Sequence, residues 1–155
     1  MSFTAKHSFF IIILNLLILT WGVHSLSKVD RNKFGILDKY DVYITDADVD
    51  NLMVHCKSND DDLGDRELGP NQYFDWRFRM DFLFTTNFNC SFRSMAFDGR
   101  ELKSKSLVVF DTYIGAINCG PGDLKHCYWL VRNDGFYISK DNKPFPDGWE
   151  LKRKW

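Results

Sequence analysis

The sequence has few histidines, few prolines and no cluster of basic residues. It contains four His and four Pro in 155 residues. Lys and Arg are scattered and the formal net charge is −1. A nucleic-acid partner needs a basic stripe against its phosphates, so that class is excluded. No G-x-S-x-G, H-E-x-x-H or P-loop pattern occurs. No segment repeats its apolar residues as an amphipathic helix does. The cysteines run Cys56-x33-Cys90-x28-Cys119-x7-Cys127. They lack the close C-x2-C pairs from which zinc modules are built, even with His55 and His126 as further ligands. Neither a metal nor a cofactor is expected.

Long hydrophobic runs are equally scarce. The one present is Phe9 to Leu19, broken by Asn15. Spanning a bilayer takes about 20 apolar residues, so this run is too short for an anchor. Val23-His24-Ser25 follows with side chains a signal peptidase accepts. Residues 1–25 therefore read as a secretory signal peptide cleaved after Ser25, and no membrane insertion is expected afterwards. Its loss removes Lys6 and leaves 19 basic against 21 acidic side chains. Residues 26–40 are polar and without period, a flexible leader. Export places all four cysteines in an oxidising compartment, so two disulfides are expected.

Aromatics are plentiful, at 16 % of the chain. Flat, bulky side chains favour strands and stack between sheets. Gln72 to Met80 alternates cleanly, with Phe74, Trp76, Phe78 and Met80 on one face and Tyr73, Asp75, Arg77 and Arg79 on the other. That is a half-buried strand. Asn87 to Arg93 repeats the pattern, with Phe88, Cys90 and Phe92 inward. Asp41–Thr45, Asn51–Lys57, Lys105–Tyr113, Cys127–Val131 and Gly135–Ser139 complete the clear strands. Asp98-Gly99 and Asn133-Asp134-Gly135 mark tight turns. Seven to eight short strands imply an all-β fold, a small antiparallel β-sandwich occupying residues 41–155. Ser58 to Asn71 reads as one long acidic loop.

Cys56, Cys90 and Cys127 share parity with core aromatics and should lie between the sheets. Three pairings are open. Long closed loops constrain the unfolded chain most, which favours Cys56–Cys127 with Cys90–Cys119. His55 and His126 each precede a cysteine and so point away from the core. With the thiols oxidised, no nucleophile remains for either histidine to activate, and the protein reads as no enzyme. Asp60-Asp61-Asp62 lacks the EF-hand spacing and reads as a solvated turn rather than a calcium site. Asn89-Cys90-Ser91 is a glycosylation sequon, with Asn89 facing outward.

Four blocks of this sequence resemble a known family. They are His55-Cys-Lys-Ser-Asn-Asp-Asp-Asp-Leu-Gly64, Gln72 to Phe78 as a Y-x-W-x-F strand, Phe84 to Phe92 as T-x-F-x-C-x-F, and Cys127 to Tyr137 as C-x-W-x-V-x-x-D-G-x-Y. Their order and content resemble the plant self-incompatibility proteins, or S-protein homologues. The resemblance covers residues 41–139. Met95-Ala96-Phe97 departs from the family's frequent tryptophan. What the resemblance implies is a small secreted β-sandwich with two disulfides that acts as a ligand for a cell-surface receptor, in pollen rejection or related signalling. A monomer is expected. Recognition by such a scaffold falls to its loops, here Asn59–Asn71, Ala96–Lys103 and Asn118–Lys125. Their exposed charges, Asp60, Asp61, Asp62, Arg66, Arg100, Lys103 and Lys125, are the candidate contact residues. The rival readings are a cell-wall carbohydrate binder using Tyr73 as a sugar platform, and a small secreted enzyme or inhibitor.

Overall fold

The computed structural model describes residues 37–155. The signal peptide expected over residues 1–25 and most of the expected leader lie outside the described residues. Nine strands occur among them: β1 (Lys39–Asp46), β2 (Leu52–Lys57), β3 (Asp62–Leu68), β4 (Tyr73–Arg79), β5 (Phe88–Met95), β6 (Glu101–Phe110), β7 (Leu124–Arg132), β8 (Gly135–Ser139) and β9 (Glu150–Arg153). One helix, α1 (Thr112–Asn118), joins β6 to β7. Strands β4-β1-β7-β8-β9 form one sheet and β3-β2-β5-β6 the other.

The alternating strands pair as their pattern requires. In β1 the even residues Tyr40, Val42 and Ile44 are buried against the facing sheet. Trp76 of β4, Phe88 and Phe92 of β5, Trp129 of β7 and Phe136 of β8 meet them in the core. Burying each such side chain contributes about 1.5–3 kcal/mol. Trp129 also donates its indole N–H to the Val109 carbonyl of the opposite sheet, at 2.9 Å, so its one polar atom is satisfied in the interior.

Four expectations are corrected. First, β1 starts at Lys39, and Tyr40, assigned to the leader, is a core residue. Second, the sandwich is not wholly antiparallel, because β1 and β7 run parallel. The crossover through α1 returns the chain to the end where β1 begins. Third, Ser58–Asn71 is not one loop: β3 occupies its middle and pairs with β2. Its sequence, D-L-G-D-R-E-L, lacks alternation because an edge strand shows charge to solvent on most sides. Fourth, the disulfides are Cys56–Cys90 and Cys119–Cys127. Cys56 and Cys90 are register partners on neighbouring strands, with Cα atoms 4.0 Å apart. Direct proximity in the native sheet decides the pairing, and loop length does not.

Thr112 and Tyr113, expected to end the strand from Lys105, instead open α1. Asp111 stops β6 and caps the helix, its Oδ1 accepting from the Ile114 N–H at 2.7 Å. The tail forms β9, and Trp155 packs on Phe136 with ring centroids 4.6 Å apart. Gly135 is required at the β7–β8 turn, because a Cβ there would lie 2.5 Å from the Arg153 carbonyl.

Candidate recognition surface

The seven candidate contact residues do not form one site. They divide between the two ends of the sandwich. Asp60 and Asp61 occupy the turn between β2 and β3. Ser58 holds that turn: its Oγ accepts from the Asp60 N–H at 3.2 Å and the Asp61 N–H at 2.9 Å. Both carboxylates are left exposed, without an ion pair among the described residues. Asp62 is different. As the first residue of β3 it lies 3.0 Å from His55 Nε2 and accepts from the Gly64 N–H. Lys125 lies near the same end, on β7 rather than in a loop. It is ion-paired with Asp38 and stands 5.6 Å from the centre of the Tyr40 ring. Its charge holds the chain before β1 against the sheet.

Arg66, Arg100 and Lys103 lie toward the opposite end. Arg66 projects from β3 over Phe74 of the facing sheet, 5.3 Å from the ring centre, and covers the open side of the sandwich. Arg100 sits in the β5–β6 hairpin beside Asp98, 3.5 Å away. Gly99 supplies the positive φ of +81° which that turn demands. Lys103 donates to the carbonyl and the side-chain oxygen of Asn133, both at 3.2 Å, and lies over Trp155. Arg66, Lys103 and Lys125 thus have structural work within the domain.

The two histidines point outward on opposite sheets and do not converge. His55 lies between Asp62 and Asp65, at 3.0 and 3.1 Å, on the outer face of the four-stranded sheet. His126 lies on the outer face of the five-stranded sheet, half-buried beside Tyr128 and Tyr43. There Asp41 is fully buried and accepts from Arg77 at 2.6 Å and from the Tyr43 hydroxyl at 3.2 Å. Burial, together with the Asp41 carboxylate, pushes the Tyr43 hydroxyl up to about 12. Tyr43 and Tyr128 stack on each other, 5.0 Å apart. Their faces are turned to each other, and Tyr73, 61 % exposed, is the most open ring of the group. Asn89 is exposed on β5 beside the buried Cys90. All four cysteines are held in disulfides, which removes the thiolates a zinc site or thiol nucleophile would use.

Two groups of exposed residues escaped the reading of the sequence. The first is Phe82, Leu83 and Phe84, between β4 and β5. The second is Tyr113 and Ile117 on α1. An apolar run beside the core-facing Met80 passes for more core. The signal present was Asp81 followed by Thr85-Thr86, a side-chain-bonded loop rather than a strand.

The sequence model described as Plant self-incompatibility protein S1 matches residues 42–155. The chain belongs to this family. S-protein homolog 74 of Arabidopsis thaliana is 37 % identical over 87 residues, covering 56 % of this chain and 52 % of that protein. There the chain spans about half the length of the relative it matches. S-protein homolog 12 of the same plant is 34 % identical over 117 residues, 67 % of this chain and 70 % of that one. A solved structure of self-incompatibility protein homologues, described as a widespread family of small, highly stable, secreted plant proteins, superposes with a TM-score of 0.51. It is 17 % identical and covers 76 % of this chain and 97 % of that one. At that identity the likeness concerns the fold. Family membership fits the four blocks, whose cysteines, tryptophans and D-G turn build the core and hairpins described above. Among the described residues, no helix is long and apolar enough to cross a membrane.

Proposed function

We propose that this member of the self-incompatibility family is a secreted, non-enzymatic ligand that binds a receptor at a plant cell surface. The observation that carries the reading is the family match across residues 42–155. The fold supports it. Two disulfides fix a sandwich whose turn carboxylates Asp60 and Asp61 are exposed and unpaired among the described residues. Solvated, unneutralised charge on a rigid turn is available to a partner at little ordering cost. Pollen rejection is one such role, and related cell–cell signalling is another.

The test uses the full chain expressed through a plant secretory pathway. The protein should appear in the medium, processed after Ser25, with both disulfides formed. Labelled protein should then bind intact plant cells saturably, compete with unlabelled protein, and lose its binding when the cells are pretreated with protease. Binding that never saturates, or that survives protease but not glycosidase, would defeat the receptor reading. The second outcome would favour a wall carbohydrate.

A further inference from the structure

One end of the sandwich combines exposed apolar side chains with an excess of acidic ones. Three connections meet there: residues 58–61, 80–87 and 111–123. They contain Asp60, Asp61, Asp81, Asp111 and Asp123, and neither lysine nor arginine. From them project Phe82 (68 % exposed), Leu83 (73 %), Phe84 (36 %), Tyr113 (66 %) and Ile117 (42 %). Residues 58–61 line a shared cleft with Asp81, Thr85, Thr86 and Asn87, and Arg79 of β4 stands on its wall; Phe82, Leu83 and Phe84 project outside it. Thr112 donates its hydroxyl to the Phe84 carbonyl at 2.8 Å and so ties the apolar loop to α1.

The loop is preorganised. Asp81 Oδ1 accepts from the backbone N–H groups of Thr85 and Thr86, at 2.7 and 2.9 Å, and from the Thr86 hydroxyl at 2.9 Å. Asp81 Oδ2 accepts from the Thr85 hydroxyl at 2.6 Å. The Thr86 Oγ1 in turn accepts from the Asp81 N–H. Five bonds close six residues on themselves, and Phe84 takes a positive φ of +58° within them. Bulky apolar groups held in water by such a frame are a binding surface in form. Ordering costs that a flexible loop would meet on binding are already met in the fold.

We infer that this end docks a protein surface that offers an apolar groove with a basic rim, Phe82 and Leu83 entering the groove and the exposed Asp60, Asp61 and Asp123 meeting the rim. The charge selects among occupants. The exposed Asp60, Asp61 and Asp123 outweigh Arg79 on the cleft wall, so an anionic bilayer would be repelled, and a second copy would bring the same acidic excess to the contact. The inference deepens the receptor reading and rests on it for the occupant being a protein.

The probe is a synthetic amphipathic helix with leucines on one face flanked by lysines, titrated into isotope-labelled secreted protein. The expected result is movement of the amide resonances of residues 81–87 and of α1. The same peptide with glutamates for lysines should bind at least about tenfold more weakly, as should the lysine peptide with Phe82→Ser/Leu83→Ser. Both side chains are exposed, so that variant should keep its melting temperature. Should it fail to fold, Asp60→Lys/Asp61→Lys tests the rim instead and should weaken the lysine peptide. The inference is overturned by shifts elsewhere or none, by equal binding of both peptides, or by unchanged binding of the variant. Phosphatidylcholine–phosphatidylserine vesicles that bind wild type but not the variant, or dimers lost in the variant, would overturn it in favour of a lipid or of self-association. Cell binding separates the two readings. Saturable binding that the Phe82→Ser/Leu83→Ser variant retains sinks this surface and leaves the receptor, whereas absence of such binding in wild type sinks the receptor.

Discussion

The two ends of the sandwich solve the same problem with different means. The end formed by residues 58–61, 80–87 and 111–123 is stapled: both disulfides lie just beneath it, joining β2 to β5 and the end of α1 to β7. The opposite end, formed by residues 47–51, 69–72, 96–100 and 133–134, is held by polar side chains around Arg132. That guanidinium lies 3.2 Å from Asp48 and 3.3 Å from Asp134. The Arg132 carbonyl accepts from the Trp155 indole at 2.6 Å. Asp48 further accepts from the Asn133 N–H at 2.7 Å. Asp46, fully buried, accepts from the Val49 N–H, and burial raises its carboxyl above the ordinary range. Aspartates are common at both ends. At the polar end Asp46, Asp48 and Asp134 hold turns together. At the stapled end Asp81 and Asp111 do the same, while Asp60 and Asp61, on a turn whose leading strand β2 is joined to β5 by a disulfide, remain exposed.

The largest effects should come from unstapling. In the chain-entropy model, Cys56→Ala/Cys90→Ala, with its sequence separation of 34, should cost about 4 kcal/mol. Cys119→Ala/Cys127→Ala, with a separation of 8, should cost about 2.5 kcal/mol. Guanidinium unfolding of both variants measures the difference, and hydrogen exchange locates it. Protection should fall first in β2, β5 and α1, and should persist around Arg132. Equal loss at both ends would show that the ends are not independent.

Next comes the polar end. Trp155→Ala removes a half-buried ring from Phe136 and leaves the Arg132 carbonyl without its donor. A fully buried tryptophan costs about 3–5 kcal/mol when truncated, so this one should cost about 2 kcal/mol. Thermal unfolding would check it. A change within error would mean that β9 contributes no stability and that the tail is a passenger on the edge of the sheet.

The sequence made the strands legible wherever one face meets the core. Phe74-Trp76-Phe78 and Phe88-Cys90-Phe92 could satisfy their apolar side chains in no other way. It hid what depends on neighbours. β3 and β9 are edge strands whose polar residues have no period to reveal. The parallel contact of β1 with β7 follows from a crossover, and no local pattern encodes it. The disulfide pairing is hidden from loop-length arguments, which concern the unfolded chain, because it is decided in the native sheet, where Cys56 and Cys90 are opposite each other. For the candidate surface, charge identified Asp60 and Asp61 correctly as exposed. It also selected Lys103, Lys125 and Arg66, whose ring contacts and ion pairs are invisible before folding. Hydrophobicity concealed Phe82 and Leu83, because exposure of an apolar run is a tertiary property.

At the stapled end, Asp81 offers a pH handle. The Thr85 hydroxyl first, then the backbone and side chain of Thr86, hold its carboxyl down to about 2, from an ordinary 3.8. Because the folded value is depressed, its stabilisation of the loop is complete above about pH 4. It is lost as pH falls through 2. The carboxyl carbon should therefore titrate with a midpoint near 2, and protection of the Thr85 and Thr86 amides should decline over the same range. Asp81→Asn should abolish that pH dependence. An unshifted midpoint near 3.8 would mean that the loop is not held by Asp81, and the preorganised presentation of Phe82 would fall with it.

The smallest effect is the most direct test of the contrast between the ends. Asp48→Ala and Asp60→Ala remove the same side chain from two turns. Asp48 loses a bond to the Asn133 N–H and a partner for Arg132, so about 1 kcal/mol should disappear. Asp60 loses only hydration, and stability should stay within about 0.5 kcal/mol of wild type. The binding measurements should reverse that order: Asp60→Ala should weaken the lysine peptide and Asp48→Ala should not. A variant pair that moved stability and binding together would mean that the acidic turn is structural after all. Aspartates at both ends would then be doing the same work.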